Sequence, residues 1–100
     1  MIVHLVELEM DGALHDEYLA WLREQVAKML ALPGFLGAGI MMPFDPPPPE
    51  GRWVLWAQYQ PRDRAAWQSY PAEHAPRMRE AGLARFGDRV KATRRVLEIA

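Results

Sequence analysis

Histidine is the side chain whose ordinary pKa suits acid–base work near neutral pH, and this chain has three, His4, His15 and His74. His4 interrupts the apolar set Ile2, Val6, Leu8 and Met10, which falls on one face if residues 2–10 form a strand. A histidine there acts as a general base or ligand-orienting group in a pocket under that face. Alternatively it is a core side chain satisfied by a nearby carbonyl or hydroxyl. His74 lies beside Glu73 and near Arg77, either of which can orient it at a pocket mouth; a capping or exposed role suits it equally. His15 falls in the first turn of a helix and reads as solvated. Zinc needs at least three convergent ligands, and no His-x-x-x-His or similar pairing occurs, so no metal is expected.

A second constellation is aromatic: Trp21, Trp53, Trp56, Tyr59, Trp67 and Tyr70. Such side chains wall a pocket for a planar ligand, or they fill a core and a subunit interface. Tyr59 adds a phenol that can donate to a ligand oxygen. Arg94 offers a bidentate hold on an anion, or else a cross-strand ion pair with Glu7 or Glu9. The candidate site therefore takes His4, Tyr59 and His74 as catalytic groups, with Trp56, Trp67 and Arg94 as substrate-binding groups. No phosphate-cradling glycine loop is present, and the sequence calls for no cofactor.

The elements that must position these residues follow from periodicity. Residues 2–10 alternate as a strand, and Asp11 is placed to cap a helix over residues 13–32. In that helix Leu14, Tyr18, Trp21, Leu22, Val26, Met29 and Leu30 recur at steps of three and four. Pro33-Gly34 ends it. A second strand, residues 35–42, sets Leu36, Ala38, Ile40 and Met42 on one face and Gly37 and Gly39 on the other. The four prolines Pro46–Pro49 belong to a rigid loop rather than to a polyproline docking motif. A third strand, residues 52–60, has Trp53, Leu55, Ala57 and Tyr59 on one face and Val54, Trp56, Gln58 and Gln60 on the other. Large apolar groups on both faces ask for cover on both, and a second copy of the chain supplies it. Asp63 caps a second helix, broken near His74–Pro76 because Pro71 and Pro76 cannot share one regular helix, and resumed to about Phe86. A last strand spans residues 89–99. The order is β-α-β-β-α-β, an α+β, ferredoxin-like domain over residues 1–100, with strands one and three central and both helices on one face.

Composition narrows the function. Lys and Arg number 12 against 13 Asp and Glu, a formal net charge of −1, so there is no basic excess to neutralise nucleic-acid phosphates. With no cysteine, a disulfide, thiolate ligand or thiol nucleophile is impossible. No basic stretch followed by an apolar run opens the chain, and no segment approaches the roughly 20 apolar residues of a membrane span. A cytoplasmic protein with neither nucleic acid nor membrane as partner is expected.

Several segments together resemble a small uncharacterised bacterial family. They are Trp21-Leu22, Pro33-Gly34-Phe35, Gln58-Tyr59, Tyr70, the run Glu73 to Arg79, Arg85-Phe86, and Arg94 to Glu98. The resemblance spans essentially the whole chain and is most distinctive from Tyr70 to Phe86. It implies a ferredoxin-like, dimeric α/β-barrel protein, akin in fold to antibiotic biosynthesis monooxygenases. The family's pattern often has a histidine where Gly82 stands, so any role of that side chain is absent here. No established activity comes with the family, and fold kinship does not determine function.

Two functions follow. The first is a small-molecule-binding protein or cofactor-independent enzyme, monooxygenase- or isomerase-like, holding a small aromatic or apolar ligand between sheet and helices. The second is a non-catalytic homodimerising module, paired through the sheet face, whose polar residues only satisfy one another.

Overall fold

The alternation of the first strand dictates the layers. Ile2, His4, Val6, Leu8 and Met10 are all buried, whereas Val3, Leu5, Glu7 and Glu9 between them are only half-buried. The computed structural model describes residues 1–73 and 75–100, with side chains outside 69–78. Its elements run β1 (Ile2–Asp11), a 3-10 turn (Gly12–Leu14), α1 (His15–Leu30), β2 (Phe35–Met41) and β3 (Arg52–Pro61). After these come α2 (Arg64–Glu73), α3 (Ala75–Phe86) and β4 (Val90–Glu98). The strands form one antiparallel sheet in the order β2-β3-β1-β4, the ferredoxin-like arrangement.

The buried side of β1 meets Leu14, Tyr18, Leu22, Val26 and Met29 of the α1 stripe, with Leu55, Ala57 and Tyr59 of β3. Met10 and Leu55 at its centre are wholly buried. The α1 helix begins later than its periodicity predicts. The Asp11 carboxylate accepts from the Ala13 amide at 2.9 Å and so caps the tight 3-10 turn that precedes α1. Asp16 and Glu17 in its first turn and Lys28 in its last complement the helix dipole.

The expectation for β2 is modified, and that for the broken second helix is met. Alternation places Leu36 with Ala38 and Ile40, but the β2–β3 register slips between Phe35 and Gly37. This bulge turns Phe35 to the helix side, edge-on to Tyr59, and leaves Leu36 62% exposed. The helical segment after Asp63 is two helices, α2 ending at Glu73 and α3 starting at Ala75. Pro76 is thus the second residue of α3, where a missing amide forfeits no intrahelical bond. His74 lies outside the described residues, and so do the side chains of Tyr70 and Arg77.

Gly34 fixes where α2 can sit. Its φ is 91°, in the region that side-chain-bearing residues rarely adopt, and a Cβ there would lie 2.8 Å from the Ala66 Cβ. Its carbonyl accepts from the Arg62 amide, and Asp63 accepts from the Ala66 amide at 2.8 Å, so the start of α2 is locked onto the turn before β2. Trp67 follows directly. Gly34→Ala is expected to destabilise the fold by about 2 kcal/mol or more, combining dihedral strain with the clash. Urea unfolding followed by circular dichroism measures it; a change under 0.5 kcal/mol, on the order of an ordinary surface substitution, would show that α2 is not held here.

Candidate functional site

Helices cover the β3 and β1 part of the sheet but not β4. On β4 the residues facing the same side, Ala92, Arg94 and Val96, remain exposed. Between them and the helices lies a cavity of about 280 Å³. Its floor is His4, Val6, Leu8, Ala57 and Tyr59; α1 contributes Tyr18, Trp21, Leu22, Gln25 and Met29; α2 contributes Trp67 and α3 Arg79. Arg94, Arg95 and Val96 form the β4 rim. A second void of about 300 Å³ shares Leu8, Tyr18, Trp21, Arg79 and Arg94 with the first and continues toward Leu83 and Phe86.

Backbone pairing explains which candidates meet. His4 lies opposite Tyr59 on one side and Val96 on the other, so the imidazole and the phenol are cross-strand neighbours with ring centroids 5.8 Å apart. Trp67 descends from α2 onto His4, with centroids 4.6 Å apart and planes tilted by 56°. Arg94 pairs with Val6 across the ladder and stands beside them at the rim. Four of the six expected site residues, His4, Tyr59, Trp67 and Arg94, therefore converge.

Trp56 does not join them. It pairs with Glu7 and Met41 on the opposite face of the sheet, because its parity in β3 is that of Val54 and Gln58, not of Tyr59. His74 cannot be placed, lying outside the described residues. The expected pairing of Arg94 with Glu7 or Glu9 also fails, for the register sets Thr93 opposite Glu7 and Lys91 opposite Glu9. Arg52 reaches Glu9 instead, at 3.6 Å. His15, expected to be solvated, packs on the Trp53 ring at 4.3 Å and contacts the Asp16 carboxylate at 2.8 Å.

Tyr18, Gln25 and Arg79 are cavity residues that sequence reasoning passed over. A signal for Gln25 existed: it is a buried amide on the α1 stripe, one turn from Trp21 and Leu22 and four residues before Met29. Tyr18 was read only as core. It does pack on Trp21 and Phe86, at 5.4 and 4.8 Å, while also bordering both voids. Phe86 is held from the C-terminal end of α3, where the guanidinium groups of Arg85 and Arg89 lie 5.4 and 5.7 Å from its ring. Gly82 approaches Trp21 so closely that a Cβ would sit 3.3 Å from the indole.

The polar groups are electrostatically unusual. Burial first, and the Arg94 charge second, lower the His4 pKa from 6.5 to about 4. At neutral pH the imidazole is uncharged and too weak a base for efficient proton abstraction, but it keeps one donor and one acceptor nitrogen. Burial raises the Tyr18 pKa to about 12 against the smaller, opposing effect of Arg94, so this phenol stays protonated. Among the described residues no three His, Asp or Glu side chains gather to hold a metal ion, and no helix is long and apolar enough to cross a membrane.

The fold and cavity define a ferredoxin-like α+β domain with a ligand-sized void between sheet and helices. The chain belongs to the family described as domain of unknown function DUF4286, whose model matches residues 1–100. No curated protein matches it. Among solved structures it is similar to a Deinococcus radiodurans protein named as a candidate antibiotic biosynthesis monooxygenase. That match has 12% identity and TM-score 0.74, covering 100% of this chain and 93% of the other. It is also similar to SnoaB, a cofactor-independent oxygenase from Streptomyces nogalater (14% identity, TM-score 0.65, 98% and 92% covered). A third is the heme-degrader MhuD from Mycobacterium tuberculosis, with two hemes bound in its active site (16%, TM-score 0.70, 99% and 95%). At these identities the likeness is one of fold.

The lowered pKa of His4 has a thermodynamic consequence. Between pH 6.5 and about 4 the unfolded chain takes up a proton that the folded chain refuses, so stability present above pH 6.5 is lost as pH falls through 4. His4→Phe removes this linkage. In urea unfolding at pH 7.5 and 4.5, the variant should gain on the wild type by about 2 kcal/mol at the lower pH. An unchanged difference would mean that His4 titrates normally.

Proposed function

We propose that this protein binds a small, flat, largely apolar organic molecule in the cavity between sheet and helices, and acts on it as a cofactor-independent enzyme of the monooxygenase or isomerase type. The observation that carries this reading is the cavity itself. It brings a neutral histidine, two tyrosines, a glutamine and two tryptophans to one ligand-sized space. Ligand sites commonly have this make-up, with aromatic walls and a few convergent polar groups. Trp67 and Trp21 offer stacking surfaces, while His4, Tyr59 and Gln25 offer donors and acceptors for ligand oxygens. The cofactor-independent part is supported by likeness in fold to SnoaB.

We also propose that the protein is a homodimer packed face to face, which the opposite face of the sheet supports. There Val3 and Leu5 of β1, Trp56 of β3, Met41 of β2 and Leu97 of β4 share one face, the last two 43% and 48% exposed. Apolar groups spread across three or more strands are a surface that association would bury. Trp56 thus belongs to assembly in this reading, not to the cavity. Trp56→Glu should convert a dimer in sedimentation velocity into a folded monomer; a wild type that is monomeric at 100 micromolar, about a hundred times ordinary assay levels, would refute the dimer.

The binding reading is tested with fused-ring hydroxyaromatics such as 1-naphthol, followed by quenching of tryptophan fluorescence. Binding is expected, with Tyr59→Phe weakening it about tenfold while unfolding stays cooperative. Dioxygen uptake above the protein-free rate, in the presence of a chelator, then distinguishes oxygenase from isomerase. If neither two- nor three-ring compounds bind at millimolar concentration, the cavity is only a packing defect.

A further inference from the structure

We propose that the natural ligand of this cavity is an organic anion, a flat aromatic carboxylate whose charged end sits between the guanidinium groups of Arg94 and Arg79. The inference rests on the reading of the cavity as a small-molecule site and names the chemical class that the site selects. Arg94 and Arg79 are on different elements, β4 and α3, yet both border the main void and the adjoining one, so they stand where the two meet. Neither void is bordered by an Asp or Glu among the described residues. Four arginines reach a carboxylate, Arg52 with Glu9, Arg62 with Asp63, Arg64 with Glu98 and Arg85 with Glu17, whereas Arg23, Arg89 and Arg95 reach none among the described residues. Among the described residues Arg94 and Arg79 have no such carboxylate. With Arg95 also at the rim, three cations border one cavity in a chain of net charge −1, a local concentration of charge and not an overall excess.

The surrounding chemistry selects further. A guanidinium presents parallel N–H groups that match a carboxylate in fork geometry, and such charge-assisted bonds are the stronger kind. Trp21 and Trp67 favour a flat apolar body over a compact inorganic anion such as phosphate. The Arg94 field already reaches His4, disfavouring a positive imidazole. An anion bound at Arg94 would relieve that repulsion. Among the described residues, the titratable or charged groups that border the cavity with His4 are Tyr59 on β3, Tyr18 on α1, Arg79 on α3, and Arg94 and Arg95 on β4.

The test compares two matched series, 2-naphthoate with 2-naphthamide and 9-anthracenecarboxylate with its amide, by fluorescence titration at pH 7.5 and low salt. The carboxylates should bind at least tenfold more tightly than the amides. Arg94→Gln, at an exposed rim position, should lower the carboxylate-to-amide affinity ratio at least threefold, Arg94→Gln with Arg79→Gln should bring it to about one, and Arg94→Lys should keep part of it. In proton NMR the carboxylates, but not the amides, should raise the His4 pKa. Equal affinity for carboxylate and amide overturns the anion assignment but leaves the cavity as a binding site. Binding of neither series overturns both readings. Tighter binding of inorganic phosphate than of either carboxylate would replace the aromatic acid with a simple anion site.

Discussion

The antiparallel pairing of β1 with β3 is the constraint on which the rest of this molecule depends. Because its register is fixed, every residue of β1 has a determined face and a determined neighbour: His4 meets Tyr59, Val6 meets Ala57 and Leu8 meets Leu55. Moving that register by one residue would turn Glu7 and Glu9 into the core and His4 out to the other side. Burial of the even positions of β1 against the α1 stripe makes such a slip costly. His4 and Tyr59 are thus held by paired strands, while Tyr18, Trp21 and Trp67 come from the helical roof. That is a favourable basis for holding a ligand in one orientation.

Much of this was legible in the sequence because period-two and period-four patterns are strong signals. The βαββαβ order, the inward direction of His4 and the capping roles of Asp11 and Asp63 all follow from residue type and spacing. What could not be read was information that resides between elements. The bulge at Phe35–Gly37 has no unambiguous local mark, and it reversed the roles of Phe35 and Leu36. Of the two roles open to Arg94, the ion pair with Glu7 or Glu9 failed because the register between β1 and β4, which neither strand states alone, sets Arg94 opposite Val6. Trp56 was misplaced for a simpler reason. Its parity was known, but its size and aromaticity outweighed the alternation that already assigned it to the far face.

The cavity is also a consequence of incomplete cover. One helical layer over four strands leaves β4 short of partners, and Ala92, Arg94 and Val96 keep their exposure on a face that is otherwise largely buried. A larger roof would have closed the void and left His4 as an ordinary core histidine. The uncovered strand instead admits a charged side chain at the rim, whose field acts across the gap on His4 and Tyr18. Both groups retain their uncharged forms at neutral pH, so the charge at the cavity is that of the arginines along its edge.

The absence of a side chain at Gly82 has its own effect on capacity. Trp21 stands between the two voids, and its indole edge occupies the space that a Cβ at Gly82 would contest. Any bulkier residue on that turn of α3 would press the indole toward the sheet and divide one long channel into two short chambers. The length of molecule a member of this family can accept would then be graded by a single helical position, remote in sequence from His4 and Tyr59. Diversification of ligands across such a family would need no change in the strands at all.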